Sequence, residues 1–379
     1  MAEVHGFVEA GFEAVREAFA ANFDRHREVG AACSLYRRGR PVVDLWGGLA
    51  DRAAGRPWQQ DTLVLVFSAT KGVTAICVHR LAERGEIDLD APIADAWPEF
   101  AAHGKGAITP RQVLCHRAGL AAVDGDLSLP QVLAWEPVVA AIAAQEPNWE
   151  PGTAHGYHAR SFGWILGEVV RRATGRSLGA WLADEIAKPL DLDLWVGLPA
   201  RLLRRTARIL PPEGGSDRVA EILGSSSLTV RVMNGPSDLF RYDEMWNRPD
   251  LLAAEMPSSN GVADARSLAR LYAATIGPVD GVRLLAPATV EAACVPHSEG
   301  PDRVILVPSR FGAGFGLPPF LSPACGARAF GHSGAGGSLA FADPEAEIGF
   351  GYVMNEMRFD PRGDPRAAGV VEAVYRSLA

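Results

Sequence analysis

Lysine is almost missing from this chain. Of the 37 basic residues among 379, only Lys71, Lys105 and Lys188 are lysines and the rest are arginines. A lysine that survives such a bias invites inspection. Long apolar runs are missing too. No stretch approaches the roughly 18 uninterrupted apolar residues of a membrane-spanning helix, so membrane insertion is not expected. No basic tract exceeds a few residues and the formal charge is −8, which argues against nucleic acid as a partner. The five cysteines, Cys33, Cys77, Cys115, Cys294 and Cys325, are scattered, odd in number and without a CxxC pair. They imply neither a zinc site nor a disulfide framework and read as reduced, small apolar residues. The N-terminus carries Glu3, Glu9 and Glu13 where a secretory signal would carry a basic region and an apolar core, so a cytoplasmic location is expected.

What is present is ordinary globular composition, 48% apolar and 22% charged, enough to bury a sizeable core in one large domain or two interlocked ones. Gly6, Val8, Phe12, Val15, Phe19 and Phe23 suggest an amphipathic opening helix. Two β-rich runs flank Arg38-Gly39-Arg40 within 28–51 and predict an antiparallel hairpin. Residues 62–67 form an apolar lead-in to a helix from Ser68 to about Arg84. Helices are predicted at 110–116, 130–144, 160–174, 178–187 and 264–275, and 222–240 is ambiguous. Strands return at 303–307, 330–341 and 348–355, and a helix over 365–378 follows. The chain is thus read as α/β (α+β), an antiparallel sheet flanked by helices. Residues 1–90 and 260–379 form the α/β part, 91–259 form a mostly helical insertion, and the active site lies between them.

Four places carry chemistry. In Ser68-Ala69-Thr70-Lys71, positions three apart share a helix face, so the serine hydroxyl and the lysine amine can meet. A serine needs a base to become a nucleophile, and a lysine serves only as the neutral amine, which burial or a neighbouring cation favours. The plain alternative is a serine N-cap before a solvent-facing lysine. Tyr157 stands just ahead of a helix whose apolar face includes Phe162, Ile165, Leu166, Val169 and Val170. Its phenol, once deprotonated beside a cationic lysine, could serve as a base, whereas a lone tyrosine is more often a core residue. In Phe330-Gly331-His332-Ser333-Gly334-Ala335-Gly336-Gly337-Ser338, glycines on a strand edge would let a ligand approach backbone N–H groups. Gly175-Arg176-Ser177-Leu178-Gly179 matches GxSxG but lacks the strand that a nucleophile elbow requires. Gly175 reads as the end of one helix and Ser177 as the N-cap of the next. His155, His158 and the Cys115-His116 pair form no recognisable metal-ligand set.

SATK at 68–71, PGTAHGYH at 151–158 and GHSGAGG at 331–337, in this order, resemble the serine β-lactamase-like superfamily, and most of all its family VIII carboxylesterases, which share the class C β-lactamase fold. GRPVVDLWGG, LAERGEIDLDAPI, ITPRQVLCHRAGL and FADPEAEIGFGYVMNEM extend the resemblance along nearly the whole chain. It implies an acyl-enzyme on Ser68, with Lys71 and Tyr157 sharing the base role. It implies an oxyanion hole from the N–H groups of Ser68 and Ala335, and substrate contacts from His332, Ser333 and Gly334. Two departures matter. The family's Tyr-x-Asn is Tyr157-His158-Ala159 here, and His332 stands where β-lactamases carry a lysine that helps to bind the β-lactam carboxylate. Both push the reading from a lactamase toward a carboxylesterase; a cofactor-free enzyme without metal is expected, and small esters are expected because no lipase-like lid is seen. The alternatives are a β-lactamase or amide hydrolase, an acyltransferase passing the acyl group to an alcohol, and a non-enzymatic binding protein on the same fold. The pocket walls are expected from 222–262 and 308–320.

Overall fold

The computed structural model describes residues 3–212, 221–359 and 363–378. Its strands are β1 (Val4–Val8), β2 (Gly30–Arg37), β3 (Arg40–Asp51), β4 (Arg56–Pro57), β5 (Val64–Leu65), β6 (Leu194–Trp195), β7 (Val262–Ala263), β8 (Ser298–Pro301), β9 (Pro308–Phe311), β10 (Phe330–Ser333), β11 (Leu339–Asp343) and β12 (Ile348–Met354). The longer helices are α1 (Glu13–Arg25), α2 (Thr70–Glu83), α3 (Ser161–Thr174), α4 (Ala265–Ile276) and α5 (Pro365–Leu378). The main sheet runs β1-β3-β2-β12-β11-β10, antiparallel throughout, with β4 paired to β3. The predicted hairpin is β2–β3, and β12 lies against β2, so the two ends of the chain build one sheet. β5, β7 and β6 form a second small sheet.

Period-two alternation sorts the sheet's two faces. Ala31, Cys33, Leu35, Phe341, Phe350 and Tyr352 pack with Val15 and Phe19 of α1 and Val370 and Val374 of α5. The opposite face carries Ala32, Ala340, Ala342 and Val353 and lies under α4. Small residues are needed there because α4 rests almost on the strand backbone. A Cβ on Gly349 would lie 2.3 Å from the backbone N of Ala273, and one on Gly351 2.4 Å from the carbonyl O of Ala265. Gly349→Ala is therefore expected to lower the unfolding free energy by about 3 kcal/mol through overpacking, read as a shift in the denaturant midpoint at unchanged slope.

Four sequence expectations need correction, the first being the strand at 330–341, which is the two antiparallel strands β10 and β11 joined by a turn. The opening segment is not one helix. Val4–Val8 pairs with β3 at the sheet edge and α1 starts only at Glu13. Gly6 and Gly11 both take positive φ, which breaks a helix, and Gly6 lies directly on the carbonyl of Asp44. The segment 303–307 is a turn rather than a strand, with β8 and β9 on either side of it. The Asp302 carboxylate causes this by accepting from the N–H groups of Val304 (2.8 Å) and Ile305 (3.0 Å). The helix predicted over 130–144 is two, Leu129–Leu133 and Glu136–Ala144. Trp135 between them has φ +71°, and its indole N–H is drawn to the Glu168 carboxylate at 3.0 Å.

Candidate active site

The chain reaches Ser68 through a tight turn. β5 pairs with β7, Phe67 adopts φ +47°, and a 3-10 turn over Phe67–Ala69 runs directly into α2. A bulky residue in the left-handed region costs about 1–3 kcal/mol and persists only where its surroundings hold it. Here the Phe67 ring packs edge-on to Trp246 (5.1 Å between centroids) and Tyr242 (5.9 Å). Val66 also ties the glycine-rich turn to this point. Its carbonyl accepts from the Ser338 hydroxyl at 2.8 Å, and the Ser338 carbonyl accepts from the N–H of Gly334 at 2.7 Å. A Cβ on Gly334 would lie 2.2 Å from that same Val66 carbonyl oxygen. The residues of the 68–71 and 331–337 motifs are thus neighbours, and Gly334 is a glycine because two backbones touch there.

Lys71 is fully buried on the first turn of α2 and forms no ion pair among the described residues. Its Nζ meets three oxygens: the carbonyls of Ala159 (2.6 Å) and Ser258 (2.9 Å), and Ser68 Oγ at 3.3 Å. Burial first, and the nearby Arg160 cation second, hold its pKa well below the ordinary lysine value. A neutral amine has two N–H bonds and one lone pair. In that form the two carbonyls can take both N–H bonds and the lone pair can face the Ser68 hydroxyl, whereas the charged ammonium donates to all three oxygens.

Tyr157 is 8% exposed and lines the same cleft as Ser68. Burial raises its pKa far above the ordinary tyrosine value, so it stays a phenol. Its ring lies 4.8 Å from Lys71 Nζ and stacks with Phe311 at 6.1 Å. Its N–H donates to Asp302 at 3.1 Å, which links it to the turn that displaced the expected strand. His158 donates from Nδ1 to the Gly156 carbonyl (2.7 Å) and accepts the N–H of Leu120 on Nε2 (3.2 Å). Its own N–H donates to His116 Nδ1 at 3.1 Å. Burial depresses both histidines, His158 to about 4, so the pair is a neutral clasp around the tyrosine loop.

His332 lies on β10, the edge strand, and is 5% exposed. Its Nδ1–H donates to the Ser333 carbonyl at 2.6 Å, and its Nε2 is buried with no partner among the described residues. Burial, and then Lys71, lower its pKa to about 3, so it is a neutral imidazole. Its ring is 6.1 Å from that of Tyr157. Ser333 is exposed, Gly334 and Ala335 are half-buried, and Ser68 is half-buried as well. The edge is not free along its length: Gly331 exchanges backbone hydrogen bonds with Gly316 in both directions (2.8 and 3.2 Å). Its open part begins beyond His332.

Ser177 is an N-cap, accepting the N–H of Ala180 at 3.2 Å and donating to Glu255 at 2.6 Å. Gly175 ends α3 in the left-handed conformation. His155 is engaged by the Ser309 hydroxyl at 3.0 Å. Among the described residues no group of three or more His, Cys, Asp and Glu side chains is placed to hold a metal ion. Sequence reasoning overlooked Arg160, whose side chain lines the cleft at Ser68 together with Tyr157, Tyr242, Trp246 and Ser259. Of the two segments expected to wall the pocket, 222–262 supplies Met233, Tyr242, Trp246 and Ser259, whereas 308–320 does not line this cleft and its Phe311 packs against Tyr157.

The beta-lactamase family model matches residues 15–375. The chain belongs to the beta-lactamase family. The Esterase/beta-lactamase LipL of Mycobacterium tuberculosis (strain ATCC 25618 / H37Rv) is 38% identical over 369 residues, 93% of this chain and 83% of that protein. The solved structure of a family VIII carboxylesterase superposes with a TM-score of 0.86 at 40% identity, covering 99% of this chain and all (100%) of the other. A penicillin-binding protein homologue from Caulobacter crescentus gives the same TM-score, 0.86, at 38% identity, again over 99% of this chain and 100% of its own. The resemblance drawn from three short motifs therefore holds along the family's whole fold, an antiparallel sheet with helices on both faces. No described helix is long and apolar enough to cross a membrane.

Proposed function

We propose that this beta-lactamase family member is a serine carboxylesterase. The observation that carries the reading is the buried Lys71 amine, without an acidic partner among the described residues, 3.3 Å from Ser68 Oγ with Tyr157 in the same cleft. Ser68 attacks the ester carbonyl while its proton passes to Lys71. The N–H groups of Ser68 and Ala335 receive the oxyanion. The proton reaches the leaving alkoxide through Tyr157, the ester C–O bond breaks, and an acyl-Ser68 remains. Water then attacks with the same groups, releasing the acid. Ser333 and Gly334 line the entry, and His332 faces the site as a neutral ring. The nucleophile and its base come from the 1–90 part, Tyr157 from the 91–259 insertion and His332 from the 260–379 part, so the site lies between the two. The aromatic walls of the cleft suit small acyl groups. The five unpaired cysteines fit a reducing, cytoplasmic setting.

β-Lactam hydrolysis is the second reading because the family shares the nucleophile. It is disfavoured by Ala159, which offers no amide, and by His332, whose neutral ring gives no permanent charge to a carboxylate. Hydrolysis of p-nitrophenyl butyrate is expected to exceed that of nitrocefin by about 100-fold or more in kcat/KM. Dominant nitrocefin turnover would return the chain to the β-lactamases, and dominant transfer to added alcohols would make it an acyltransferase.

A further inference from the structure

Arg160 carries a charge that no described acidic side chain cancels. The residue is 5% exposed and forms no ion pair among the described residues. Its Nη1 donates to the carbonyls of Val232 (3.2 Å), Met233 (2.7 Å) and Gly235 (3.2 Å), at the end of the helix Leu228–Asn234. Phe240 lies under the guanidinium at 4.4 Å and Trp246 at 5.9 Å. These contacts fix the group in one orientation. They occupy only one of its nitrogens: Nε is buried with no partner, and Nη2 makes no hydrogen bond to any described residue. Nε is sealed by its neighbours, so Nη2 is the donor left open for a charge-assisted hydrogen bond to a ligand carboxylate oxygen. The same side chain lines the cleft that holds Ser68.

A buried cation is costly unless an anion or a full set of acceptors meets it. Here three carbonyl dipoles meet one nitrogen, and the remaining wall is aromatic. The other buried arginine among the described residues, Arg366, is paired, 2.9 Å from Glu28 and 2.6 Å from Asp364. Arg160 departs from that pattern at the one place where a ligand must enter.

We propose that Arg160 recognises a carboxylate carried by the ester substrate, so that the enzyme prefers anionic esters over neutral ones of the same shape. This rests on the esterase reading of Ser68. It places carboxylate recognition on the Tyr157–Arg160 side of the cleft rather than at His332.

The test uses matched pairs followed by pH-stat: monoethyl glutarate against ethyl pentanoate, and 4-acetoxybutanoate against butyl acetate. The first pair carries the charge on the acyl side and the second on the alcohol side. The wild type is expected to prefer the charged member of one pair by about 10-fold or more in kcat/KM, and that pair identifies the side. Arg160→Gln is expected to bring the ratio to about 1. A ratio at or below about 1 for both pairs in the wild type, with the neutral esters still hydrolysed in a Ser68-dependent way, overturns the proposal and leaves the esterase intact. A ratio that survives Arg160→Gln overturns it as well. Arg160→Gln removes three contacts to the 232–235 turn, so a second arm keeps native Arg160. Calorimetric titration of Ser68→Ala with 4-acetoxybutanoate and monoethyl glutarate, against their neutral partners, should show tighter binding of one charged member that weakens with added salt. Equal binding of charged and neutral members overturns the proposal even where no ester is turned over.

Discussion

Ser68→Ala is expected to lower kcat for p-nitrophenyl butyrate by about 10³- to 10⁶-fold with little change in the fold. The change removes the oxygen that lies 3.3 Å from Lys71 Nζ in the cleft shared with Tyr157. Lys71 keeps its two carbonyl partners when the hydroxyl is lost. Residual activity reflects the oxyanion donors and substrate binding. The internal control is Ser177→Ala, which deletes an N-cap and a bond to Glu255. It should cost about 1 kcal/mol of stability and leave ester turnover in place. A Ser68→Ala protein with full activity would remove Ser68 from the mechanism, and loss of activity in Ser177→Ala with a folded chain would restore the GxSxG serine. Intact-mass detection of an acyl adduct in the wild type, absent from Ser68→Ala, gives an independent reading.

The parts of this site legible in the sequence are those written locally. SATK places two side chains three residues apart, and the 3-10 turn that runs directly into α2 brings them to one side. The glycines of 331–337 and the hairpin around Gly39 are likewise local signals. What could not be read is what turns a serine and a lysine into a pair with a direction. The carbonyls that hold Lys71 belong to Ala159 and Ser258, 88 and 187 residues away, and a backbone oxygen leaves no mark in a sequence. Arg160 adjoins the tyrosine motif but has no partner of its own type, since it is held by backbone oxygens and aromatic faces from a stretch without periodicity. The opening segment failed for a different reason. Val4, Gly6 and Val8 alternate as a strand while Phe12, Val15 and Phe19 repeat as a helix, and the two patterns meet without a gap. The turn after Asp302 failed because a single carboxylate, gathering three N–H groups including that of Tyr157, overrode the β-branched run that follows it.

Lys71→Arg is expected to be as damaging as Lys71→Met, each lowering kcat/KM by about 10²- to 10⁴-fold. The reason lies in what the site asks of the nitrogen. If Lys71 supplied only positive charge, arginine would serve. If it must accept the Ser68 proton, arginine fails, because a guanidinium does not give up its own proton in a protein. The geometry allows acceptance, with two carbonyls on two N–H bonds and the serine on the third position. The pH dependence follows with a definite sign. The amine is the active form, so kcat/KM rises with pH as Lys71 loses its proton and levels off above its pKa. Burial and then Arg160 place that pKa well below the 10.5 of a free lysine, so the plateau begins on the acid side of that value. Tyr157 adds no second rise, since burial moves its ionisation upward from 10.0. A rate that climbs only toward the ordinary lysine pKa, or a Lys71→Arg enzyme near wild-type activity, would show that Lys71 works as a cation and would pass the base role to a tyrosinate. Arg160→Gln provides a cross-check on the same limb. With one cation fewer beside Lys71, the amine holds its proton more tightly, and the acid limb should move to higher pH.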